Sequence, residues 1–398
     1  MIKRSLETYP AFKIFTLSLG NQLFISASVT KADSDTENCV GEIYAKIADL
    51  LSASSSQIIH ERCFGSLEIH GQVLKIRSRE FPKYNIETNT PVTYIEGESC
   101  FGNKFAGVQI RALKSTHDTC VRTIMDQGIP KGRAWNLNGS TFFMLHNIDG
   151  KTSDESLDTD RKSRTKAMFH QAERLLRAGG AAYKDVVRTW IYISDILDWY
   201  SDFNKVRNNC YKEYGLLKNT DSKEQAEQLY LPASTGIEGR NPYDLPATMD
   251  VFAVHRSPGS VIQIRPLYGV KQNSPFRYGS AFSRAVVVEE PCSKLILVSG
   301  TASIDEQGNS LFIGDPAAQI RQTFDVISAL IASENATLHD LCEATIFVKR
   351  SQDFSVYQEV IERLGISNIP SVNVIANVCR DELLFELDAA FVLEKDKA

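Results

Sequence analysis

The pattern of apolar and polar residues repeats three times along the chain. Apolar runs that are rich in β-branched residues and end in small residues predict three buried strands, at Leu23–Val29, Thr141–His146 and Leu295–Thr301. After each run, apolar residues at helical spacing predict a helix with one buried face, at Ile43–Leu51, Ala167–Ala178 and Ile320–Ile331. The chain therefore contains three units in which a helix packs on a sheet.

Each unit continues in the same order. A further strand is predicted at Ile58–Phe64, Val186–Ile193 and Leu341–Val348, and a second helix at Asp198–Arg207 and Asp353–Val360. Every unit closes with a strand that begins at a proline, Pro91, Pro232 or Pro370, followed by a turn and a last strand. The period is about one third of the 398 residues, so we expect α+β domains at 1–115, 116–273 and 274–398.

Composition excludes several classes of protein. The chain has 44 basic and 49 acidic residues, a net charge of -5, which does not suit a nucleic-acid-binding protein. It contains no apolar run long enough to cross a membrane, and its first residues are charged, so we expect a cytoplasmic protein without a membrane partner. The eight cysteines and seven histidines have no metal-ligand spacing, so no metal site is expected.

The order of elements resembles a known fold. Together with Leu297–Asp305 and the closing run Leu384–Ala389, it is similar to the YjgF-like reactive-intermediate deaminase fold, which is also described as chorismate-mutase-like. Proteins of that fold normally form homotrimers with ligand clefts between subunits. Three copies in one chain imply a covalent pseudo-trimer, and we expect a monomer because the fused repeats remove the usual reason to trimerise.

A narrower resemblance covers about the last two-thirds of the chain. Its motifs are Arg188–Tyr192, Tyr200 to Arg207, Pro232–Gly239, Ser280–Ala285, Val298–Ile304 and Val378–Glu386. These motifs are similar to the chorismatases, cofactor-independent enzymes that remove pyruvate from chorismate. The first 110 residues resemble that family only as a degraded repeat. The arginine that binds the substrate carboxylate in simple deaminases is missing, because the matching positions hold Thr93, Ser234 and Pro370.

Glu386 is the candidate general acid. On the final strand, the two-residue period places Glu386 and Asp388 on one face and Phe385 and Leu387 on the other. Two nearby carboxylates on a partly dry surface raise the pKa of one of them, which can then stay protonated near neutral pH. The alternative is a solvated strand face without a catalytic role.

The resemblance implies further site residues. It places Arg284 and Arg380 at the substrate carboxylates and marks Cys379, in the turn before the last strand, as a catalytic residue together with Glu386. It also marks Tyr278, Arg188, Tyr192, Thr235, Gly236 and Ala285 as substrate-binding positions. Cys379 could instead be an inert buried thiol, and Tyr192 could be an aromatic core residue.

The resemblance implies an enzyme that protonates the enolpyruvyl group of chorismate without a cofactor, with Glu386 as the acid. By the same resemblance, a cysteine at the place of Cys379 is typical of the branch that yields 3-hydroxybenzoate. An alanine at the place of Ala285 is typical of the branch that yields a dihydroxycyclohexadiene carboxylate. The two residues therefore indicate different products. One alternative is a deaminase-like or non-catalytic protein that binds small carboxylated metabolites between domains. Another is a structural pseudo-trimer within a larger assembly.

Overall fold

A computed structural model describes residues 1–32, 35–115, 120–151, 160–217, 230–269, 271–272 and 274–395, except for the side chains of Arg277 and Tyr278. Within these residues the strands form three six-stranded sheets, which follow one another along the chain. No helix in these ranges is long and apolar enough to cross a membrane. The α+β architecture predicted from the sequence is therefore confirmed.

The sheets share one topology. The first contains β1 (Lys3–Thr8), β2 (Phe12–Leu19), β3 (Gln22–Val29), β4 (Ser56–Gly65), β5 (Thr93–Glu96) and β6 (Phe105–Lys114). The second contains β7 (Arg122–Asp126), β8 (Ile129–Leu137), β9 (Ser140–Ile148), β10 (Val186–Ile193), β11 (Ala233–Glu238) and β12 (Ala247–Arg256). The third contains β13 (Gln263–Leu267), β14 (Ala285–Glu289), β15 (Ser293–Ala302), β16 (Leu341–Val348), β17 (Ser371–Ile375) and β18 (Phe385–Glu394). The spatial order is β1-β2-β3-β6-β4-β5 and its equivalents, and the pairs β4–β5, β10–β11 and β16–β17 are parallel.

Two α-helices accompany each sheet. They are α1 (Thr36–Ala53), α2 (His70–Glu80), α3 (Arg161–Ala178), α4 (Ile196–Glu213), α5 (Pro316–Ala332) and α6 (Phe354–Arg363). The first helix of each pair begins after an aspartate, Asp35, Asp160 or Asp315, whose side chain accepts hydrogen bonds from backbone N–H groups of the first turn. The repeat therefore extends to individual capping residues.

Each sheet has two buried faces. In the third unit, Leu387 belongs to the apolar cluster that contains the buried faces of α5 and α6. Ala390 and Val392 of the same strand join a central cluster that also contains Phe24 of the first sheet and Phe252 of the second. The sheets therefore face a shared centre and the helices lie outside, as the alternation of β18 predicted.

The predicted strands and helices are found, although helices extend up to seven residues beyond their predicted ends, and the structure adds a strand pair at the start of each sheet. The pairs β1–β2, β7–β8 and β13–β14 were not predicted, and β1 is exposed along its whole length and so lacks an apolar face. Strand β13 lies in a segment that the sequence indicated as an extended connection, and its pairing with β14 assigns it to the third sheet. The polar helix α2 was also missed.

The units contact one another in cyclic order. Strand β5 packs against β9, β11 against β15, and β17 against β3. At the interface of the second and third units, the Ser234 N–H donates to Ser299 Oγ at 2.8 Å and the Gly300 N–H donates to Thr235 Oγ1 at 3.0 Å. These bonds fix β11 across the end of β15, where the candidate site lies.

Candidate active site

A cavity of about 690 Å³ lies between the second and third units. One wall is formed by α4 and β11, and the other by β15, β18 and the chain that precedes β14 and β18. The lining residues include Tyr200, Asn204, Arg207, Gly236, Phe282, Arg284, Gly300, Cys379, Arg380 and Glu386. The fold thus brings Gly236 and Arg284 together with the segment that carries Cys379, Arg380 and Glu386.

Glu386 lies against a β-bulge. The register between β15 and β18 shifts between Val298 and Thr301, so the backbone at Gly300 turns toward the cavity. A Cβ atom at position 300 would overlap the Glu386 Oε1 atom, so glycine provides the space for the carboxyl group. Glu386 accepts no hydrogen bond from the residues that the structure describes. Its carboxyl group is therefore held by packing and directed at the cavity.

Burial favours the neutral form of Glu386. Loss of hydration raises its pKa, the Asp388 carboxylate raises it further, Arg188 acts in the opposite direction, and the resulting pKa is about 8. Glu386 and Asp388 are each 4% exposed, so the alternative of a solvated strand face is wrong. At neutral pH, Glu386 is predominantly a carboxylic acid that can donate its proton.

Among the side chains that the structure describes, three arginines line the cavity. Arg284 is almost completely buried, and Arg380 is partly exposed and donates to the Gly308 carbonyl. Arg207 is 1% exposed, donates to Asn204 Oδ1 at 2.6 Å and forms no ion pair within the described residues. Its Nε atom has no hydrogen-bond partner in that part of the chain. A buried guanidinium without an acidic partner favours an anion in the cavity.

Cys379 lies beside Glu386 and is a protonated thiol. Its burial and the nearby Glu386 carboxyl group raise its pKa to about 12, although Arg380 acts in the opposite direction. A thiolate nucleophile is therefore disfavoured at this position. The neutral side chain can contribute a weak hydrogen bond and a small apolar surface to the cavity wall.

Arg188 and Thr235 lie beneath the cavity wall and do not line it. Arg188 donates to Thr235 Oγ1 at 2.5 Å and to Asp388 Oδ1 at 2.9 Å. Both are 1% exposed, because β10 directs Arg188 toward the centre of the molecule. The contacts of these two residues hold the wall and Asp388 in place.

Tyr192 and Ala285 are core residues. Tyr192 is 1% exposed, packs edge-on against Phe64 and accepts a hydrogen bond from Arg62 at 3.3 Å, so the core alternative describes it best. Ala285 follows Arg284 directly, and alternation along β14 turns it toward the helices, where it is fully buried. The predicted contact of Ala285 with substrate therefore has no geometric support. The side chain of Tyr278 lies outside the described part of the structure.

The site also contains residues that were not predicted as site residues. Tyr200, Asn204 and Arg207 occupy one face of α4, at positions i, i+4 and i+7, and Phe282 lies across the cavity with its ring 5.5 Å from the Arg207 guanidinium carbon. All four occur in the motifs that carried the family resemblance. The helical spacing of the first three was a signal for one shared face.

The equivalent positions at the other two interfaces lack an acid. Glu386 pairs with Phe347, and in the other sheets Thr248 pairs with Tyr192 and Gly107 with Phe64. Thr248 and Gly107 are therefore the counterparts of Glu386, and Gln109 and Asp250 are those of Asp388.

The position of Gly107 is also closed. Val372 Cγ2, on β17 of the third unit, lies 3.0 Å from where a Cβ atom of residue 107 would be. Strand β17 therefore fills this space. Within the described residues, no group of three or more His, Cys, Asp and Glu side chains could hold a metal ion.

Comparisons with known proteins agree with this architecture. The sequence model of the family described as Endoribonuclease L-PSP matches residues 276–388, within the third unit. A 3-hydroxybenzoate synthase of Streptomyces hygroscopicus is 25% identical over 247 residues, which cover 56% of this chain and 68% of that protein. A RutC family protein of Pyrococcus abyssi is 28% identical over 109 residues, covering 27% of this chain and 83% of its own.

A crystal structure of chorismatase superposes on most of the molecule. The TM-score is 0.59 at 18% identity, over 84% of this chain and 93% of the other. The match extends well beyond the part similar to the L-PSP family, so it describes the arrangement of units as well as their individual fold. The chain therefore has the chorismatase fold predicted from its sequence, with three YjgF-like units arranged as a pseudo-trimer within one polypeptide.

Proposed function

We propose that this protein is a cofactor-independent enzyme that removes pyruvate from chorismate. The observation that carries the proposal is Glu386, a buried carboxylic acid with a pKa of about 8 at the wall of an arginine-lined cavity. The similarity to a 3-hydroxybenzoate synthase and the shared chorismatase fold support the choice of substrate.

The arginines suit a dianionic substrate. Chorismate carries two carboxylates, one on the ring and one on the enolpyruvyl group. Arg207, Arg284 and Arg380 approach the cavity from both units, so carboxylates at separate places can each meet a guanidinium. The net charge of -5 makes this local positive surface more important for binding.

Glu386 acts as the general acid. Its proton is transferred to the methylene carbon of the enolpyruvyl group, which forms a C–H bond and leaves an oxocarbenium ion. In the hydrolytic route, water adds to this ion, and the resulting hemiketal breaks its C–O bond to give pyruvate and the dihydroxycyclohexadiene carboxylate. The proton released by water returns to Glu386. The burial of Glu386, which raises its pKa, disfavours loss of the proton to bulk solvent before transfer.

Cys379 bears on the choice of product. In the second route, the neighbouring ring hydroxyl oxygen bonds to the ring carbon that carries the enolpyruvyl ether, and the C–O bond of that ether breaks to release pyruvate. The hydroxyl proton returns to Glu386, and the resulting ring epoxide opens while a ring proton moves to its oxygen, which gives 3-hydroxybenzoate without net consumption of water. A neutral, weakly hydrating thiol next to the acid favours this route because it disfavours a bound water at that wall. We therefore propose 3-hydroxybenzoate as the principal product.

The test is turnover by Glu386→Gln. We expect the purified protein to release pyruvate from chorismate and the variant to be slower by about 10² or more, because glutamine keeps the shape but has no transferable proton. Glu290→Gln is the matched control, since Glu290 is another largely buried glutamate of raised pKa, about 7, that does not line the cavity.

Chromatography of the aromatic product distinguishes the two routes. Binding of chorismate without pyruvate release would favour the alternative of a deaminase-like or non-catalytic metabolite-binding protein. Full activity of Glu386→Gln would assign the proton to another group.

A further inference from the structure

An arginine of the first unit reaches the acid pair of the third. Arg62 on β4 is 1% exposed and donates through one terminal nitrogen to Glu343 Oε1 at 2.5 Å. Its other terminal nitrogen lies 3.7 Å from Asp388 Oδ2. That oxygen accepts no hydrogen bond from any residue that the structure describes. The Arg62 charge therefore faces this buried oxygen.

The second unit holds the other oxygen of Asp388. Arg188 donates to Asp388 Oδ1 at 2.9 Å and to Thr235 Oγ1, which in turn accepts from the Gly300 N–H. Glu386 packs directly on Gly300. A continuous set of contacts therefore connects Asp388 to the bulge beneath the candidate acid.

We propose that Arg62 is a positioning residue for the candidate general acid: it fixes Asp388 between two guanidinium groups, so that all three units are needed to complete one site. This inference rests on the proposed function. It gives the degraded first unit a role in the chemistry, although the cavity itself is lined by the second and third units.

The charges around the pair determine how it titrates. Glu386 is faced by Asp388, Arg188 and the Cys379 thiol. Asp388 is faced by the two arginines and by the Tyr192 hydroxyl, whose proton it helps to retain.

Arg62 also pairs with Glu343, and Asp250 acts on the Tyr192 hydroxyl. Removing the cation that faces Asp388 Oδ2 takes a positive charge from the surroundings of Glu386, so the Glu386 proton becomes harder to lose.

The test is a direct titration of the pair without substrate. Infrared difference spectra follow the carbonyl stretch of the protonated acid, which is assigned by its loss in Glu386→Gln. We compare the native protein with Arg62→Met, with Arg62→Lys and with the double variant Arg62→Met/Glu343→Gln, which leaves no unpaired glutamate. We expect the last titration step to rise by about half a pH unit or more in both Met variants, and the Lys variant to restore it.

The control is a buried pair of the same unit. Arg77 and Glu61 lie 2.8 Å apart on the helix side of the first sheet and do not contact Asp388. Arg77→Met/Glu61→Gln should lower stability without shifting the titration. An unshifted titration in both Met variants, or an equal shift in this control, would overturn the inference.

The pH dependence of turnover separates the inference from the proposed function. If the protein releases pyruvate, the pH at which its rate falls should move with the titration. If the titration shifts and no chorismate is consumed, the positioning contact stands and the proposed function fails. If chorismate is consumed and the titration does not move, the proposed function stands and Arg62 is a structural residue.

Discussion

Glu386→Gln should stabilise the protein at high pH while it removes activity. The pKa of Glu386 rises from 4.5 to about 8 on folding, chiefly because burial disfavours its charge and secondly because Asp388 is close. The folded protein therefore keeps a proton that the unfolded chain loses. Below about pH 4.5 both the folded and the unfolded protein hold the proton, so burial of this carboxyl group costs the native protein no stability through its charge. As the pH rises from 4.5 to 8, the native protein loses stability with a slope set by one proton.

The size of the effect follows from the pKa difference. A rise from 4.5 to about 8 corresponds to about 5 kcal/mol at ~1.4 kcal/mol per pKa unit. Glutamine does not titrate, so the variant loses none of this free energy of unfolding as the pH rises. Relative to the native protein, its free energy of unfolding should increase by about 3 kcal/mol between pH 4.5 and 7 and by about 5 kcal/mol at pH 9.

Urea denaturation at pH 4.5, 7 and 9 measures this difference. The matched control is Glu290→Gln, because burial raises the Glu290 pKa only to about 7. The difference in free energy of unfolding between Glu290→Gln and the native protein should therefore stop growing near pH 7. The corresponding difference for Glu386→Gln should grow up to pH 8. A difference between Glu386→Gln and the native protein that stays constant from pH 4.5 to 9 would refute the assignment of Glu386 as a buried neutral acid.

Three further predictions concern the cavity. Gly300→Ala places a Cβ atom where the Glu386 carboxyl group lies, so kcat/KM should fall at least tenfold while circular dichroism shows a retained fold. A fully active variant would contradict the close packing of Glu386 on Gly300. Arg207→Ala and Arg380→Ala should each weaken binding of a chorismate-like dicarboxylate by about 2 kcal/mol in calorimetry, because each loses a charge-assisted contact. Asp388→Asn removes the charge that raises the Glu386 pKa, so the rate should begin to fall at lower pH; an unchanged or higher value would show that Asp388 does not act on the acid.

The sequence predicted the repeat and its elements because both depend on local patterns. Strands such as Val186–Ile193 and Leu341–Val348 are continuous apolar runs, and their bounds were predicted without error. The two faces of β18 followed from alternation alone, which correctly placed Glu386 and Asp388 on the inner face. The edge strand β1 was missed because its residues are all exposed and carry no such pattern.

Tertiary structure decided which residues share the site. Arg284 and Ala285 are neighbours in sequence, yet one lines the cavity and the other lies among the helices, because the start of β14 turns them to opposite sides. Arg188 is turned to the interior, whereas Arg207 reaches the cavity, since only the packing of α4 over β11 gives the latter access.

The structure also decided which interface carries an acid. Three similar units could have formed three similar clefts, but the residues that occupy the Glu386 position are Gly107 and Thr248 in the other two. Val372 of a neighbouring unit fills the space at Gly107. The sequence by itself determined the units and the inner face of each strand, because these follow from short-range periodicity. The pairing of units decided where an acid, three arginines and empty space coincide, because contacts between residues hundreds of positions apart have no local signature.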